Sequence, residues 1–288
     1  MGRWVGAAGA IVLLVAAQGA ARARRPLPAD PIGIIVRAES RTIVSFRALL
    51  RELGAVRFVF VGEEHDNAAH HRIQYEMVRG MADAGLPVAV AVEMFRADAQ
   101  ETLDRWTAGA LDPGRLRELF ARQWSEGFWD YYEALFELAR ARAIPLGGLN
   151  VDREGVRQVA DLGFDLAERR GRLPVDDVRC DVSARYQDRM ALVLGWEDRD
   201  TLDFEHFCEA QVTWDAAMAE NLLRFARRHP RRHVVVLAGA LHAWKHGVPE
   251  QVRRRSPLAY RVILPVEENP FGGTAGRGQD ADFLWWHP

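Results

Sequence analysis

The stretch V-F-V-G-E-E-H-D-N-A-A-H-H, residues 59–71, decides how the rest of the chain is read. An apolar run stops at Gly62. Glu63, Glu64 and His65 follow, then Asp66 and Asn67, either of which can cap a helix. This is the pattern of a buried strand emptying into a helix. Over 67–84, Ile73, Met77 and Met81 fall on one helical face, and Gly85 can end the helix. Gly62 lets the chain turn sharply out of the strand, and three residues later an imidazole sits at the start of the helix, where it can face a cleft.

The same sequence of strand, exit and helix recurs. P-V-A-V-A-V at 87–92 is a second buried strand, ended by Glu93, and I-P-L-G-G-L-N-V at 144–151 is a third. H-V-V-V-L-A-G at 233–239 and Y-R-V-I-L-P-V at 260–266 are a fourth and a fifth. Between them Asp112 and Pro113 open one helix, and 128–143 is a longer amphipathic one. Near-continuous apolar strands separated by helices imply an α/β fold, with a mostly parallel sheet covered by helices on both faces. The segment 153–229 reads as helical throughout. It is too long for one crossover, so a helical cap inserted before the fourth main strand is expected.

The division expected is a signal peptide at 1–23, a linker at 24–39, an α/β domain at 40–267 and a flexible Gly-rich tail at 268–288, which Trp285 and Trp286 can dock. Arg3, an apolar run and small residues up to Ala23 have the anatomy of a secretory signal, and the run is short for a membrane span. Together with the absence of a lipidation cysteine near it, this points to a periplasmic or secreted protein with no stable membrane anchor after cleavage. A formal charge of -2 over 288 residues excludes a chain-wide basic field for nucleic acid. The two cysteines, Cys180 and Cys208, form neither a CxxC nor a CxxCH pattern, which removes a cysteine zinc site and covalent haem attachment. Whether they pair stays open.

Ligands of open parallel sheets bind beyond the carboxyl ends of the strands. Reading off those ends collects Glu63 and His65, then Glu93, then Asn150, then Gly239 and His242. Two imidazoles with carboxylates suit a divalent transition metal with an open position for water, or general acid and base work without one. A lone GxxH is a common string. Two of them, each directly after a buried strand, carry more than either alone, and a glutamate ending V-A-V-A-V is costly unless paired or functional. Glu63, His65, Glu93 and His242 are therefore the candidate catalytic residues, with His65, Glu93 and His242 as the candidate metal set. His70 and His71 rank second, as packed or solvated helix residues.

V-G-E-E-H-D-N-A-A-H-H-R-I-Q, V-A-V-E-M-F, E-G-F-W-D-Y-Y-E-A-L-F, E-A-Q-V-T-W-D-A-A-M-A and L-A-G-A-L-H-A-W-K-H-G-V-P resemble the ChaN-like family of haem-binding uptake proteins, in the Tiki/erythromycin-esterase-like superfamily. The resemblance spans roughly 40–265. It implies haem as cofactor and a link to iron uptake, with metal-dependent hydrolysis as the alternative tradition of the superfamily. It also implies two GxxH motifs with a glutamate between them, here Gly62/His65, Glu93 and Gly239/His242. Gln211, Asp215 and Met218 match the family pattern on a cap helix. Members are often lipoproteins, and this chain departs from them there. Tyr131, Tyr132, His70 and His71 are weak candidates for a haem ligand, because none has a diagnostic spacing. The expected partners are haem or a small-molecule or peptide substrate, and a homodimer stays open. No GxSxG elbow is present, which argues against a serine hydrolase.

Overall fold

The computed structural model describes residues 33–175, 178, 180, 182–197, 201–267 and 277–287. The expected signal peptide, 1–23, lies outside the described residues. One sheet of eight strands organises the rest: β1 (Ile34–Arg37), β2 (Ile43–Val44), β3 (Phe58–Glu63), β4 (Val88–Arg96), β5 (Leu146–Asn150), β6 (His233–Gly239), β7 (Tyr260–Val266) and β8 (Phe283–Trp286). Their order is β2-β1-β8-β7-β3-β6-β4-β5. From β8 to β5 every pairing is parallel, and β1 pairs antiparallel with both β8 and β2.

The helices are α1 (Phe46–Leu53), α2 (Ala68–Asp83), α3 (Gln100–Thr107), α4 (Pro113–Gln123), α5 (Trp129–Ala141), α6 (Arg153–Leu162), α7 (Phe164–Arg169), α8 (Ala184–Leu194), α9 (Leu202–Arg228), α10 (Ala240–Ala243), α11 (Val248–Arg255) and a last turn, α12 (Arg277–Asp280). They cover both faces. Val59, Val61, Val90, Val92, Val235 and Leu237 pack with the helices α1 to α5 on one side. Phe58, Phe60, Ala89, Ala91, Val234 and Val236 pack with α8, α9 and α11 on the other. This alternation along each strand is the period-two geometry of a pleated sheet. Each face buries apolar side chains, so the strand sequences read as unbroken apolar runs.

Local chemistry explains the helix starts. The Asn67 side chain accepts from the amides of Ala69 and His70, and Asp112 accepts from the Gly114 amide ahead of Pro113. These caps satisfy amides that the first turn leaves without partners.

Two expectations change. Residues 34–37, read as linker, form β1. Residues 283–286, read as flexible tail, form β8 between β1 and β7. Both are four-residue segments whose pairing with each other joins opposite ends of the described chain, so no local period announces them. The helical stretch 153–229 does come between β5 and β6, as the expected helical insertion. α9 packs on β5, α6 and α11 and forms one of the two covering layers.

Candidate functional site

Two carboxylates finish buried strands. Glu63 is the last residue of β3, opposite Gly239 of β6. Glu93 lies inside β4, which continues to Arg96, so it does not leave the strand as expected. Between Val92 and Arg96 the register against β5 shifts, with Val92 facing Gly148 and Arg96 facing Asn150. Gly148 is required there, because a Cβ would lie 2.3 Å from the Arg96 carbonyl oxygen. Asn150 closes the irregular stretch by donating to the Glu93 carbonyl at 3.0 Å and accepting from the Trp214 indole at 2.9 Å.

Glu63 and Glu93 are each 1% exposed. Glu63 Oε1 accepts from the Tyr132 hydroxyl and lies 2.7 Å from His65 Nδ1. Its Oε2 lies 3.3 Å from His71 Nδ1. Burial alone would push the Glu63 carboxyl up, but His71, His65 and Tyr132 outweigh it and hold it at about 2. Burial also keeps His71 below the usual imidazole range. His71 Nε2 donates to the His65 carbonyl at 3.1 Å.

The second half mirrors the first. His242, in the short helix after β6, places Nδ1 2.7 Å from Asp215 Oδ1 and Nε2 3.7 Å from Glu93 Oε1. Glu93 Oε2 accepts from the Gly239 amide at 2.8 Å. Burial disfavours charge on His242, yet Glu93 and Asp215 raise it to about 9. Asp215 is pushed up to about 6 by burial, against the pull of His242. His65 and His242 therefore each bind a buried carboxylate through Nδ1, which leaves Nε2 as the working nitrogen. His65 and Glu93 both approach Gly239, where a Cβ would lie 3.2 Å from His65 Nε2 and 3.6 Å from Glu93 Oε2. Glycine at this exit leaves that space open. Asp215 on α9 was read only as a match to a family pattern, and its partnership with His242 has no local signal, since the two lie 27 residues apart.

His65 is the most open member, with its side chain 25% exposed. Its ring meets Trp124 edge-on at 5.0 Å and Phe128 at 6.4 Å. Tyr131 stacks on His71 at 4.9 Å. Tyr132, His70 and His71 are enclosed, and of the four weak ligand candidates only Tyr131 is half-buried. His70 does not join the Glu63–Glu93 cluster. It packs against His287 instead. Beside Asn150 runs a cleft of about 610 Å³ walled by Arg96, Asp152, Gln158, Arg172, Asn221 and Arg224. It adjoins the cluster and does not contain it. Neither cysteine is in a disulfide.

A doubly covered parallel sheet with carboxylate-backed imidazoles at the carboxyl ends of its strands defines the class of protein. Residues 49–252 match the family described as "Haem-binding uptake, Tiki superfamily, ChaN", and the chain belongs to that family. The fold is similar to ChaN of Campylobacter jejuni, whose structure is described as showing cofacial haem binding. That likeness has 18% identity and a TM-score of 0.70, covering 91% of this chain and all of that one. More distant are the erythromycin esterase EreC in its open conformation, with 14% identity, a TM-score of 0.46 and coverage of 88% and 81%, and the type III effector HopBA1, with 14%, 0.46, 83% and 91%. No curated protein matches the sequence.

Proposed function

We propose that this chain is a haem-binding uptake protein of an extracytoplasmic compartment. Its membership of the haem-binding uptake family carries the reading. The residues present fit the group. Haem needs a nitrogen or oxygen ligand beside flat apolar surface. At the open end of the cluster His65 has Nδ1 committed to Glu63, Tyr131 is half-buried, and Trp124 and Phe128 stand against His65. Glu63, by holding Nδ1, would orient the His65 ring and raise its basicity toward a ligand at Nε2. The N-terminal signal reading supports the location. Protein recovered outside the cytoplasm should begin after Ala23 by mass spectrometry. Hemin titrated into the purified protein should shift the Soret band to saturation, and an unshifted spectrum overturns the reading.

The cluster itself favours a second reading, a metal-dependent hydrolase. His65 and His242 are each backed by a buried carboxylate, and a third carboxylate, Glu93, lies 3.7 Å from His242 Nε2. Among the described residues, His65, Glu93 and His242 do not each bring a ligand atom within 4.8 Å of the other two, so a divalent metal would need them to draw together; held there, it would supply Lewis acidity to a bound water. Without metal, His242 is protonated at neutral pH and serves as a general acid. Glu93→Gln and His242→Ala should abolish metal uptake and hydrolysis with the fold retained. Unchanged hemin affinity in both variants would separate the haem site from this cluster.

A further inference from the structure

A second cluster lies along the same sheet edge and takes no part in the first. His70 belongs to the first turn of α2, Glu267 follows β7, and His287 follows β8. One ligand atom from each lies within 4.8 Å of the other two. His70 and His287 are 3% and 5% exposed, and their rings meet edge-on at 4.9 Å. The Nε2 atoms of both are buried with no hydrogen-bond partner. Buried polar atoms are normally paired, so two adjacent orphan imidazole nitrogens require an explanation. Glu267 is exposed and opens the cluster to solvent.

We propose that His70, Glu267 and His287 bind a divalent first-row transition metal. Two imidazoles and one carboxylate form a borderline donor set suited to zinc, cobalt or iron(II), with remaining positions for water. Outer contacts already orient the ligands. Asn67, while capping α2, donates from Nδ2 to Glu267 Oε1 at 2.8 Å, and the His287 amide donates to the Val266 carbonyl at 3.1 Å.

One contact gives the site a signature. His70 Nδ1 accepts from the Glu64 amide at 2.9 Å, so the neutral ring carries its proton on Nε2. Binding metal at Nε2 moves that proton to Nδ1, with no net proton change on the ring, and releases the Glu64 amide. The Glu64 amide then loses the partner it has in the metal-free ring. Since Glu64 stands between Glu63 and His65, occupancy of this site is felt at the first cluster.

The inference does not rest on the haem reading. The test is a Co²⁺ titration of the chelator-treated, full protein, followed by visible absorption and by the Glu64 amide resonance, with Zn²⁺ in competition. Wild type should take up Co²⁺ and shift Glu64. Glu267→Gln, at an exposed position that leaves the fold intact, should bind about tenfold more weakly or worse, and His287→Gln should lose the Glu64 shift. Wild type without uptake, or both variants titrating like wild type, overturns the site.

Discussion

At the residue scale, the buried charges at the sheet edge make stability depend on pH in two directions. Glu63 is held at about 2 against an ordinary 4.5, so its contribution is present above 4.5 and is lost as pH falls toward 2. That contribution is on the order of 3 kcal/mol. His70, which burial and its neighbour His287 lower to about 3 from 6.5, adds to the same acid limb, because its neutral form is favoured by folding. His242 has the opposite sign. Raised from 6.5 to about 9, it stabilises fully below 6.5 and loses that effect as pH climbs through 9. Asp215, raised from 3.8 to about 6, erodes stability as pH climbs between those values and partly offsets the acid limb. Urea unfolding from pH 3 to 10 should show losses on both sides. His242→Asn should flatten the alkaline limb, and an unchanged alkaline slope would remove His242 from that assignment.

At the element scale, the irregular stretch of β4 sets Glu93 within reach of Gly239 and His242. Three residues, Glu93 to Phe95, are accommodated between the paired positions Val92 and Arg96, while β5 advances only from Gly148 to Asn150. This requires the Arg96 carbonyl to lie almost against the Gly148 backbone, and Gly148→Ala would set a Cβ 2.3 Å from that oxygen. Backbone cannot swing aside as a flexible side chain can. The substitution should cost about 2–3 kcal/mol in denaturant unfolding and weaken whatever chemistry Glu93 performs. A midpoint equal to wild type would show that the irregular stretch does not fix Glu93.

At the scale of the whole molecule, the sheet is completed by the last described strand. β8 joins the parallel strands to the antiparallel pair β1 and β2, and its Phe283, Leu284 and Trp285 are buried at 0%, 4% and 2% exposure. Fully burying such side chains contributes about 2 kcal/mol each, and β1 would lose a partner strand as well. A chain ended at residue 276 should therefore lose on the order of 6 kcal/mol, a large part of a typical domain's stability. Circular dichroism melting should show a broad, low transition in place of a cooperative one. A cooperative melt at the wild-type temperature would mean that β8 is an accessory.

Local pattern by itself determined the layout of the sheet's main strands. Strands buried on both faces must be apolar throughout, and their exits to helices need glycine and capping residues, so β3 to β7 and their intervening helices are legible. Glu63, His65, Glu93 and His242 could be named for the same reason, because polar residues at the ends of such runs stand out. Tertiary structure alone decided the rest. β1 and β8 are strands only because partners reach them from the opposite end of the chain. Asp215 meets His242 across 27 residues, Tyr132 meets Glu63 across 69, and His70 near the start of α2 meets His287 at the far end of the described chain. Packing sets these meetings, and no spacing along the chain encodes them.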